Sequence, residues 1–143
     1  MIQGGITRMM KKLFAACAAL SLLSGCGSAA PEVSIDYGTS GIYTRDDMDA
    51  AVAKIKAAFA EFKGCELHAV RYADDSCNSA ENLAWMNSLG KHAPYAQCIC
   101  FRSDFHSPKN ASGSWTPDTE YTNWEWWLAR TDGGEWEVLT YGY

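Results

Sequence analysis

The chain has 143 residues, room for one small domain and little else. Lys and Arg number 12 against 17 Asp and Glu, a net charge of −5. A nucleic-acid partner is disfavoured by that balance, because phosphate binding needs a basic face.

The first 25 residues read as a targeting segment. Arg8, Lys11 and Lys12 form a basic n-region, and Leu13 to Leu23 (LFAACAALSLL) an apolar h-region without an acidic residue. That run is too short to span a bilayer, which takes roughly 20 apolar residues. Met9 or Met10 as the start would give a more typical signal length.

The tetrapeptide that closes this segment, Leu23-Ser24-Gly25-Cys26, resembles the lipobox of bacterial lipoproteins. The resemblance implies a diacylglyceryl group on the sulfur of Cys26, cleavage behind Gly25, and a domain held by lipid at the extracytoplasmic face of the cell membrane. A plain secretory signal cleaved near Ala29-Ala30-Pro31 is the competing reading. Cleavage behind Gly25 would remove three basic residues and no acidic one, leaving nine against 17 and a net charge of −8 on residues 26–143.

Residues 26–41 are expected to be the lipidated cysteine and a flexible tether, since small, polar and turn-forming residues dominate there. The first helix is expected from Thr44, whose hydroxyl and the Asp47 carboxylate can form a capping box. Met48, Ala51, Val52, Ile55, Ala58, Phe59 and Phe62 recur at helical spacing, and Lys63-Gly64 ends the element with a glycine able to turn left-handed. Cys65 to Tyr72 alternates as a strand, broken by Asp74-Asp75-Ser76.

A second helix is expected from about Ser79 to Leu89, capped by Asn78 with Glu81 as box partner and stopped at Gly90. Ala96 to Phe105 returns to strand, with Ile99, Phe101 and Phe105 on one face and Cys98, Cys100, Arg102 and Asp104 on the other. After a polar loop from Ser107 to about Tyr121, Thr122 to Arg130 and Glu135 to Tyr143 pair around Thr131-Asp132-Gly133-Gly134. The expected fold is α+β, in the order α-β-α-β-β-β, a mainly antiparallel four-stranded sheet with its helices on one face.

The order of elements, the Tyr43-Thr44-x-x-Asp47 helix start and the closing stretch from Trp124 to Tyr143 (WEWWLARTDGGEWEVLTYGY) resemble an uncharacterised domain of lipoproteins from gut-dwelling Gram-positive bacteria. The resemblance covers roughly residues 42–143. It implies an extracytoplasmic domain of cystatin-like or NTF2-like shape, and it brings no catalytic residue with it.

Four cysteines besides Cys26 lie in that domain: Cys65, Cys77, Cys98 and Cys100. Outside the cytoplasm they could form disulfides in three connectivities. Cys77 with Cys98 is the preferred pair, closing a loop on the order of 20 residues for about 3 kcal/mol. A metal site from Cys98-x-Cys100 with His68, His92 or His106 lacks any paired ligand spacing, so no metal and no cofactor is expected. Asp104 and His106 lie two apart in an extended segment, which is the basis of the alternative reading, a small hydrolase or cell-wall-active enzyme.

Five of the six tryptophans fall between Trp115 and Trp136. On a strand, Trp124 and Trp126 share one face and Trp127 takes the other, so the two sets cannot both pack on one helix. Trp115, Trp124, Trp126, Trp127, Trp136 and Tyr141 are therefore the candidate binding residues of a non-enzymatic interaction domain, for a carbohydrate, a peptide or a partner protein. A structural part of an envelope complex is the plainer possibility.

Overall fold

The computed structural model of the chain describes residues 31–90, 92 and 94–143. The expected signal segment, Cys26 and the start of the tether lie outside the described residues. In chain order the elements are β1 (Ser34–Asp36), α1 (Arg45–Phe59), β2 (Glu66–Tyr72), a short 3-10 turn (Asp75–Asn78), α2 (Ala80–Leu89), β3 (Gln97–His106), β4 (Glu120–Arg130) and β5 (Glu137–Gly142). The strands lie in sequence order in one five-stranded sheet. β1 runs parallel to β2, and every other neighbour pair is antiparallel.

The α+β class holds, with two corrections. The sheet is mixed and five-stranded, because part of the expected tether is β1: Ser34 to Asp36 pairs with Ala69 to Arg71, and Val33, Ile35 and Tyr37 pack against the core. The helices also lie on opposite faces. α1 buries Met48, Ala51, Val52, Ile55 and Phe59. These meet Val70, Ile99, Phe101, Phe105, Trp126 and Leu128 on the sheet. α2 places Met86 against Cys98 and Ala129, the alternate residues of the same strands. Since Cys98 and Ile99 must point to opposite sides of β3, the domain has two separate cores.

α1 starts as its sequence dictates. Thr44 Oγ1 accepts from the Asp47 amide at 3.1 Å, while Asp47 accepts from the Thr44 amide at 2.9 Å. Beyond its last residue the chain turns through Phe62 and is closed at Gly64, which takes φ +76°. α2 is capped by Ser79, whose hydroxyl accepts from the Asn82 amide at 3.1 Å. The expected cap, Asn78, instead accepts from the Cys98 amide at 2.9 Å and ties the 3-10 turn to β3. Gly90 stops α2 by clearance: a Cβ there would meet the Tyr95 ring at 2.0 Å.

Three bulges interrupt the ladders. Two residues of β4, Thr122 and Asn123, oppose one of β3, and Asn123 takes φ +57°. β2 carries an extra residue at His68, and β5 one at Leu139. Among the described residues no helix is long and apolar enough to cross a membrane.

Candidate functional site

The aromatic end of the domain is built by three local events. Beyond Phe59 the chain tightens into a turn, and its hydrogen bond from the Phe62 amide to the Phe59 carbonyl (2.8 Å) sets Phe62 over the end of the sheet. The bulge at Asn123 changes which side chains share a face. Trp124 and Trp126 point to α1 by ordinary alternation, and the extra residue brings Tyr121 to the same side. The 107–119 loop then folds back over them.

That loop is pinned from within. The fully buried Ser107 hydroxyl donates to the Thr116 carbonyl at 2.5 Å and accepts from the Thr119 amide at 3.0 Å. The Thr116 amide donates to the Tyr121 hydroxyl at 2.9 Å. Trp115 is thereby held 4.8 Å from Phe62, 5.4 Å from Tyr121 and 5.6 Å from Trp124, centroid to centroid. All are within range of favourable aromatic contact.

Phe62, Trp115, Tyr121, Trp124 and Tyr141 line an open groove of about 480 Å³, with Glu61 and Ser114 at its rim. Tyr141 is 50% exposed and Tyr143, whose ring lies 5.1 Å from that of Trp124, is 82% exposed. The indole nitrogen of Trp124 is buried and has no hydrogen-bond partner among the described residues. An indole N–H kept from water without an acceptor is destabilised by about 1–3 kcal/mol. On the other side of Trp115 lies a hollow of about 490 Å³, bounded by Lys63, Gly64, Pro108 and Asn110.

Of the six sequence candidates, Trp115, Trp124 and Tyr141 meet in this groove. Trp126 and Trp136 do not. Trp126 is fully buried and donates to Ser103 Oγ at 2.8 Å. Trp136 is buried beneath the Arg130 guanidinium and donates to the Asp47 carbonyl at 2.9 Å. Both are core residues, closed to a ligand. Trp127 lies on the opposite face, 5.3 Å from Trp85, where it donates to Glu125 at 3.0 Å. Phe62 and Tyr121 complete the groove, and only the bulge and the helix-end turn disclose them.

The alternative pair is not a dyad. Asp104 gives both oxygens to Arg71 at 2.7 Å and also accepts from the Asn123 amide. The Arg71 guanidinium holds its carboxyl below the usual range. His106 instead bonds Asp118 through Nε2 (3.0 Å) and Glu120 through Nδ1 (3.1 Å), and these carboxylates raise its pKa. His68 shares Glu120 at 3.0 Å, with its ring stacked 6.4 Å from that of His106.

The structure brings no histidine to the cysteines among the described residues: His68 is bonded to Glu120. His106 and Cys100 are six residues apart on β3, about 20 Å at strand spacing, and His92 is exposed before that strand. Among the described residues no three His, Cys, Asp or Glu are grouped to hold a metal ion.

The four described cysteines are free thiols, so the preferred bridge is not formed. Cys98 and Cys100 both face the 3-10 turn, as their alternation requires. Cys98 Sγ lies under the Cys77 carbonyl, to which it donates at 3.1 Å. The sulfur of Cys77 faces Cys100 instead, a contact that lowers the Cys77 pKa and raises that of Cys100. Burial pushes Cys98 up to about 11. These are thiols packed as small apolar groups.

No family model, curated protein or solved structure matches this chain. The groove's own chemistry therefore carries the functional reading. Its rings offer flat apolar faces, and among the described residues no nucleophile, base and orienting acid converge on it.

Proposed function

We propose that the chain is a membrane-anchored surface lipoprotein, lipidated on Cys26 and displayed on the extracytoplasmic face, whose α+β domain is a non-enzymatic binding module. The observation that carries this is the open groove lined by the five rings of Phe62, Trp115, Tyr121, Trp124 and Tyr141. Aromatic faces left half-open suit a ligand that presents apolar surface to them, as carbohydrates, peptides and lipids do.

Two measurements test the reading. Mass spectrometry of the mature N-terminus is expected to find a diacylated Cys26, and an unmodified terminus at or beyond Ala29 would refute the anchor. The chain from residue 26 onward, made soluble by Cys26→Ser, is expected to co-sediment with isolated cell envelopes. Trp115→Ala and Trp124→Ala should weaken that retention at least tenfold, whereas Trp127→Phe, on the other face, should leave it unchanged. Equal loss in all three would defeat the groove as the binding site.

A further inference from the structure

The strand the sequence conceals fixes where the groove points. β1 is parallel to β2, with Ser34 opposite Ala69, so the chain enters the sheet beside the start of β2. Pro31 and Val33 accordingly line a hollow with Cys65, Glu66 and Leu67. Glu66 pairs with His106 and His106 with Glu120, which places the entry point at the same end of the sheet as the last residues of β3 and the first of β4. That is the end at which Phe62, Trp115, Tyr121 and Trp124 gather. The Thr131–Gly134 turn and the start of α1 lie at the other.

Pro31 comes only five positions after Cys26, a reach of at most about 18 Å. β1 and β4 are three strands apart, about 14 Å. If Cys26 carries lipid, the aromatic end cannot stand far from the bilayer. We infer that this end rests on the leaflet that holds the anchor, with Trp115, Trp124, Tyr141 and Tyr143 in its headgroup–glycerol zone. The inference rests on the lipid-anchor reading and names the partner of the groove: a lipid surface.

The side chains suit that zone. Tyr and Trp, with an apolar body and a polar tip, favour the membrane interface, and the exposed Tyr141 and Tyr143 stand at the rim where lipid oxygens would meet them. Residues 26–143 carry a net charge of −8, which opposes attraction to an anionic leaflet. Contact through neutral rings predicts binding that favours zwitterionic over anionic vesicles and is not weakened by salt.

The test uses the mature lipidated protein reconstituted in phosphatidylcholine vesicles with bromine on the acyl carbons nearest the glycerol. Brominated lipid is expected to quench the tryptophan fluorescence, and Trp115→Phe with Trp124→Phe to remove most of the quenched fraction. Trp136, at the far end, should remain unquenched. Tyr143→Ser, at a position 82% exposed, should lower the quenching at least twofold. In a second arm the Cys26→Ser chain should bind phosphatidylcholine vesicles more tightly than phosphatidylglycerol ones. Absence of quenching with Cys26 lipidated, or retention on purified wall polysaccharide but not on vesicles, would overturn the inference and leave the binding reading intact. An unlipidated Cys26 would remove the anchor reading and the inference together.

Discussion

Asp47 shows how much one side chain can hold together. Its carboxylate caps α1 at Thr44 and bonds Arg130 at 2.6 Å, while its carbonyl accepts from Trp136. Arg130 in turn reaches Gln97 and covers the Trp136 ring. The Arg130 bond, then the Thr44 amide, bring the Asp47 carboxyl down to about 2. A depressed folded-state value stabilises the fold above the unfolded value of about 3.9 and ceases to do so as pH falls through about 2. Asp47→Ala is expected to cost on the order of 1–2 kcal/mol in urea unfolding at pH 7. It should also flatten the loss of stability between pH 4 and 2; an unaltered acid limb would show that Asp47 is not a source of it. Ser103 is a second such point. Ser103→Ala strands the buried Trp126 N–H and is expected to cost about 1–3 kcal/mol, with no change in envelope binding.

At the scale of elements, the 107–119 loop decides whether Trp115 is in place. His106 fastens its far end through Asp118, a residue held at φ +50°, with Glu120 and His68 beside it and Glu66 across the β2–β3 pair. Because the folded pKa of His106 is raised, the tie is complete below about 6.5 and is lost as pH climbs through the folded value. The Trp115 indole resonance should therefore shift with pH above 6.5, and His106→Gln should abolish that dependence. A Trp115 signal that follows no titration in the parent protein would contradict this tie.

These elements also mark what the sequence discloses. The faces of β3, the α1 capping box and the opposed Trp126 and Trp127 follow from local periodicity and are all found. Val33, Ile35 and Tyr37 alternate as a strand should, but three paired residues amid Gly, Ser and Pro are too short a signal to outweigh a tether. The bulge at Asn123 leaves no trace in composition, so Tyr121 could not be assigned a face. Which side of the sheet α2 crosses to is a property of the chain path, and periodicity is silent on it.

At the scale of the whole molecule the two sides of the sheet are unequal. α1 covers one face along most of its length, with Trp126 fully buried at its centre. α2 covers only part of the other, through Met86 and Leu83 packed on Cys98, Trp127 and Ala129. The rest of that face is held by the half-buried bidentate pair Arg71–Asp104, and by Arg102–Glu125 and the His68–Glu120–His106 row, more exposed pairs that add little stability. The fold should thus open in two steps of different depth. Trp126→Ala, a cavity in the larger core, is expected to cost about 3–5 kcal/mol and to raise hydrogen exchange throughout α1 and the sheet. Trp127→Ala removes a half-buried ring from the smaller core, so its cost should be about 1–2 kcal/mol, with faster exchange confined to Ala80–Leu89. If both substitutions raised exchange uniformly, the two cores would unfold as one unit. The groove would then owe its rigidity to α2 as much as to α1.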